Sequence, residues 1–147
     1  MGIFKKLLGI KEKNENESIK LVLSLANNLH EKTSTLISYC REVGFENELP
    51  QDTHIIGQYD SIVTEWENFL SSSYKLRKDY SESPEKEIAE IIEPYLRKQE
   101  SRDGIKKSNN NMTVGVIISN LEMMEKDLKD IVNQTSSIKI PENKNDS

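Results

Sequence analysis

Apolar and small residues recur along the first third of the chain at Ile19, Val22, Ala26, Leu29, Thr33, Leu36, Cys40 and Val43. The steps alternate between three and four residues, which keeps one seam of an α-helix facing a partner. This stretch does not show the period-two alternation of a half-buried strand. The spacing predicts a helix over 18–43, with Ser18 as its N-cap and Gly44 in the left-handed position that ends it. Residues 45–52, which include Leu49 and Pro50, must then reverse the chain.

A second seam runs through Ile55, Tyr59, Ile62, Trp66, Phe69, Ser73, Leu76 and Tyr80, widened by Ile56, Val63 and Leu70. It predicts a helix over 52–80, anchored in the core by Trp66 and Phe69. Ser83 and Pro84 open a third helix, with Ser83 capping and Pro84 in the first helical position. Its acids (Glu85, Glu87, Glu90) stand early and its bases (Arg97, Lys98, Arg102) late, as the helix dipole favours. Pro94 lacks an amide and collides with the carbonyl of Glu90, so a kink or break is expected there. The apolar face of this helix is thin: Ile88, Ile91, Ile92, Tyr95 and Leu96. After a polar loop over 104–111, the seam Val114, Ile117, Leu121, Met124, Leu128, Ile131 and Thr135 predicts a fourth helix over 112–135.

The expected fold is all-α: an antiparallel helical bundle of three long helices plus one short, Pro-kinked helix, occupying residues 18–135. An open hairpin that dimerises to complete its core is the alternative, so a homo-oligomer stays open. Residues 136–147 are expected to form a disordered polar tail, and 11–17 a charged linker.

Residues 1–10 differ in kind. On a helical wheel Ile3, Phe4, Leu7, Leu8 and Ile10 share one side, opposite Lys5 and Lys6. So short a helix is unstable alone in water and needs a surface to fold on. An anionic membrane is one such surface, with each nearby Lys adding about 1 kcal/mol to a weak, reversible attachment. Docking of this piece onto the bundle is the other reading. Met1-Gly2-Ile3-Phe4 resembles the start of the phage-shock-protein A family. Over those four residues the resemblance implies a membrane-binding amphipathic helix. The long coiled-coil hairpin of that family is not expected, because Gly44, Pro50 and Pro84 interrupt the pattern.

Charge sharpens the contrast between this segment and the rest. Residues 1–11 carry Lys5, Lys6 and Lys11 and no acid, so against a net charge of −5 the remaining chain holds −8. That balance excludes a general nucleic-acid binder, which needs a clustered basic surface. No apolar run approaches the roughly 20 residues of a spanning helix, and no secretory signal pattern opens the chain. With a single cysteine, a cytoplasmic location is expected, peripheral on the membrane where residues 3–10 attach.

Candidate chemistry is sparse. Neither His30 nor His54 has the Glu three residues before it that a di-iron bundle uses. One cysteine and two distant histidines do not make a zinc site, and the six glycines are scattered, so no phosphate loop exists. Cys40 lies on the first seam, where a buried, inert thiol is expected. No catalytic residue, metal or cofactor is therefore assigned. One polar constellation stands out. His30 interrupts an apolar stripe between Leu23 and Ile37, and Glu125 interrupts the corresponding stripe between Ile118 and Val132. Antiparallel packing would bring them to similar height, as a buried polar pair that fixes helix register. The acidic run from Glu82 to Glu93 reads as a solvated face or a docking surface for a basic partner. The functional expectation is a non-enzymatic protein that works by binding an unidentified protein partner. A small all-α enzyme, an enzyme-inhibitor module or an oligomeric structural or phage-assembly component is the alternative.

Overall fold

Asn16 opens the first helix. Its side-chain oxygen accepts from the amides of Ser18 at 2.7 Å and Ile19 at 3.1 Å, two of the donors that a helix start leaves without partners. The cap therefore stands two residues ahead of Ser18, which is itself buried in the first turn. The computed structural model describes residues 16–43, 46–50, 53–79 and 84–138. Over these the chain forms α1 (Glu17–Val43), α2 (Thr53–Asp79), α3 (Glu85–Glu100) and α4 (Val114–Ser136), with no strand among the described residues. Residues 3–10, Gly44, Ser83 and the tail from 139 lie outside them.

The four helices pack on one another in a ring, α1 against α2 and α4, and α3 against α2 and α4. Side-chain pairs set the directions. Lys32 meets Glu65 while Tyr39 meets His54, so α1 and α2 run antiparallel. Arg41 meets Glu122 while Thr33 meets Met124, which makes α1 and α4 antiparallel as well. The first turn of α1, the start of α3 and the last turn of α4 consequently lie at the same end of the bundle.

The core follows the predicted seams. Val22, Ala26, Leu29, Leu36 and Cys40 from α1 face Tyr59, Ile62, Trp66 and Leu70 from α2 and Ile117, Leu121, Met124, Leu128 and Ile131 from α4, all essentially inaccessible to water. Thr33 sits within this seam because its hydroxyl donates back to the carbonyl of Leu29 at 2.7 Å. Val43 departs from the pattern: at the end of α1 it is 48 % exposed.

α3 contributes only Ile88, Ala89 and Ile92 as buried apolar groups. The helix runs through Pro94 without interruption. That residue is exposed, so water can reach the carbonyl of Glu90 that it leaves without an amide. Pro84 stands one residue before the first helical residue, at the N-cap, with no side-chain cap bond.

The polar loop between α3 and α4 is pinned at three points. Gln99 accepts from the amide of Ile105 at 3.0 Å, donates to its carbonyl at 2.5 Å and accepts from the Trp66 indole at 3.2 Å. Tyr59 donates to the carbonyl of Lys106 at 2.6 Å, and Asp60 accepts from the amide of Ser108 at 2.7 Å. Ile105 and Met112 are buried beneath this loop.

Candidate functional site

The shortage of apolar residues on α3 has a geometric consequence. Where its first turns face the end of α4, the two helices leave an open groove of about 750 Å3, lined by Glu87, Glu90 and Ile91 on one side and Asn133, Gln134, Ser137 and Ile138 on the other. α3 turns Ile88 and Ile92 into the core, which leaves half-buried Ile91 on the groove side. Ile138, just past the end of α4, packs against the core and forms part of the opposite wall.

The groove is acidic. Arg97 pairs with Glu93 one turn away, but no cation among the described residues pairs with Glu87 or Glu90. Oε2 of Glu87 is buried with no hydrogen-bond partner among the described residues. Such an atom is costly to leave unpaired and marks a place where a donor would be stabilised. The seam next to the groove is negative too. Burial pushes the Tyr95 hydroxyl above its ordinary value, Asp130 and Asp127 add to the shift, and the hydrogen bond from Gln134 opposes it. A cationic, partly apolar ligand is what this arrangement complements.

The polar pair of α1 and α4 has a different geometry. His30 Nε2 lies 3.9 Å from Glu125 Oε2, and both side chains are close to one-third exposed. The Ser34 hydroxyl, one turn along α1 from His30, donates to that same carboxylate oxygen. The carboxylate thus engages the serine directly instead of orienting the imidazole toward it, so no nucleophile–base–acid relay is assembled. Ser34 was not among the residues singled out from the pattern, although its position four residues after His30 places it on the same face.

Other residues with reactive or adaptable side chains are absorbed by packing. Cys40 is fully buried, Met124 belongs to the core, and Met123 is 37 % exposed with its sulfur 3.7 Å from the Lys98 ammonium. Among the described residues no group of three or more His, Cys, Asp or Glu side chains could hold a metal ion. No described helix is long and apolar enough to cross a membrane. The membrane-contact residues Ile3, Phe4, Lys5, Lys6, Leu7, Leu8 and Ile10 lie outside the described residues. The pattern of the sequence pointed to the acidic run but not to the groove, whose opposite wall is set by how α4 ends. No family model, curated protein or solved structure matches the chain.

Proposed function

We propose that this chain is a non-enzymatic binding protein that engages a protein partner through its α3–α4 face and is held reversibly at an anionic membrane by residues 3–10. The observation that carries the reading is the open groove in which Glu87 and Glu90, beside Ile91 and Ile138, pair with no cation among the described residues. A basic segment with a few apolar side chains would bury the isoleucines and neutralise Glu87 and Glu90, while the thin apolar face of α3, bent at Pro94 in this reading, leaves that helix free to present its acids. Oriented cationic residues opposite acidic ones steer encounter and fix register. The membrane half of the reading is supported by the sequence of residues 3–10, whose apolar and cationic sides are separated, with Lys11 just beyond them. Few apolar side chains and three lysines suffice for weak attachment only.

Two measurements test the two halves. A pull-down with the intact chain and with Glu87→Lys/Glu90→Lys should retain a partner in the first case and lose it in the second. Equal capture by both removes the groove from the reading. Co-sedimentation with vesicles of phosphatidylglycerol and phosphatidylcholine should weaken when residues 1–10 are deleted, and equal binding removes the membrane part.

A further inference from the structure

The groove and the cationic segment belong to one chain, and the topology puts them within reach of each other. α1 begins at the end of the bundle where α3 begins and α4 finishes, and α1 packs directly on α4. The groove therefore starts about one helix beyond the first turn of α1, with neighbouring axes about 8–10 Å apart. The six residues 11–16 that join the segment to α1 span up to about 20 Å when extended, since each residue reaches roughly 3.3–3.6 Å. The linker is long enough for the crossing and too short to carry the segment to the opposite end of the bundle.

We infer that residues 3–10 dock in the α3–α4 groove of their own chain, laying the apolar side that includes Leu7 and Leu8 against Ile91 and Ile138, with the long side chains of Lys5 and Lys6 reaching from its edges toward Glu87 and Glu90. Residues 1–11 hold three lysines and no acid, which matches a groove lined by two carboxylates that pair with no cation among the described residues. The tail that follows Ile138 in sequence is the competing occupant by proximity. It carries two lysines, one glutamate and one aspartate and a single large apolar residue, Ile140, so it offers neither the charge nor the apolar surface. Docking supplies the surface that so short an amphipathic helix needs in order to fold. It also couples the two halves of the proposed function, and this consequence rests on that reading: a segment on the membrane leaves the groove open to a partner, and a partner in the groove frees the segment for the membrane. The coupling is necessarily reciprocal.

The test compares amide NMR spectra of the whole chain with those of the chain lacking residues 1–10. Docking predicts differences at Glu87, Glu90, Ile91, Gln134 and Ile138, recovered when a synthetic peptide of residues 1–11 is added to the shortened chain. Lys5→Glu/Lys6→Glu should abolish them in the whole chain, and combining these with Glu87→Lys/Glu90→Lys should bring them back. Glu87→Gln/Glu90→Gln alone, which adds no lysine, should raise vesicle affinity about tenfold if the segment spends nine-tenths of its time docked, since apparent affinity scales with the free fraction. Unchanged groove amides on deleting residues 1–10 overturn the proposal, as do changes that follow deletion of 139–147 instead. Groove shifts that vanish on dilution, with a mass of two chains, overturn it in favour of docking between copies. Groove shifts without any vesicle binding leave docking standing and remove the membrane reading, while segment-dependent vesicle binding with silent groove amides does the reverse.

Discussion

The amide of Gly115 donates to the carbonyl of Glu46 across 2.9 Å, and beside it Val114 donates to the carbonyl of Glu48 at the same distance. Two of the donors that open α4 are thus satisfied by a loop distant in sequence, with Thr113 capping the amide of Val116 at 3.3 Å. This approach needs the glycine, because a Cβ on residue 115 would stand 2.9 Å from the Glu46 carbonyl oxygen. Helix propensity alone would make Gly115→Ala stabilising by about 1 kcal/mol. The collision is with backbone, so the expected outcome is a net loss of about 1 kcal/mol, in the range of overpacked sites. Gly57 in α2 is the control, since a Cβ there meets nothing within 4 Å. Gly57→Ala should gain about 0.5–1 kcal/mol in urea unfolding. Opposite signs for the two substitutions are the prediction, and equal gains would show that the loop yields freely.

Gln99 holds the α3–α4 connection through its bonds to Ile105 and Trp66, and it is only 8 % exposed. Gln99→Ala strands the indole and both backbone groups of Ile105, so a loss of about 2–4 kcal/mol is expected from several buried groups left unpaired. Gly104→Ala attacks the same turn sterically, because its Cβ would fall 2.3 Å from the carbonyl oxygen of Gln99. Both variants should speed hydrogen exchange at Ile105 and Ser108. A fall in stability below about 1 kcal/mol for Gln99→Ala would mean that water replaces the lost bonds.

The helices and most of their buried faces were legible because burial demands a period, and Ile19 to Cys40, Ile55 to Phe69 and Val114 to Thr135 keep it. Ends were read less well. Asn16 takes the capping role expected of Ser18, since either side chain can accept from first-turn amides and the choice depends on where the backbone starts to turn. The loop over 104–111 reads as solvent-facing polar chain, yet Ile105 is buried and Tyr59, Asp60 and Gln99 hold its backbone. Those partners lie on helices far away in sequence, and no local pattern announces them. The groove was hidden for a related reason. Its acidic wall is visible as a run of glutamates, but its depth depends on how closely α3 lies against the end of α4.

Asp127 should make stability fall as pH rises. Burial pushes its carboxyl above the ordinary value; Lys98 and Lys126 oppose the shift and Asp130 adds to it. For an acid raised on folding, the native state binds more protons than the unfolded one between the two pKa values. The stability it contributes is complete below the unfolded value and is lost as pH climbs through the folded one. Asp127→Asn should therefore melt higher than the parent at about pH 7, with the two curves converging at about pH 3. A variant that melts lower at about pH 7 and converges with the parent in acid would show that attraction to Lys98 outweighs the cost of burial.

The α1–α4 polar cluster gives a sharper test of which partner the carboxylate serves. The Ser34 hydroxyl donates to Glu125 Oε2, whereas His30 Nε2 stands 3.9 Å from that atom, too far for a hydrogen bond, and has no partner among the described residues. Hydrogen bonds to a charged acceptor contribute about 1.5–3 kcal/mol, and partly exposed ion pairs about 0–1. Double-mutant cycles should then give a Ser34–Glu125 coupling of about 1–2 kcal/mol and a His30–Glu125 coupling below about 0.5. Ser34 would set the register of α1 against α4, with His30 packed beside it as a bystander. The reverse ranking would return the role to the histidine and show that its ring closes the gap in solution.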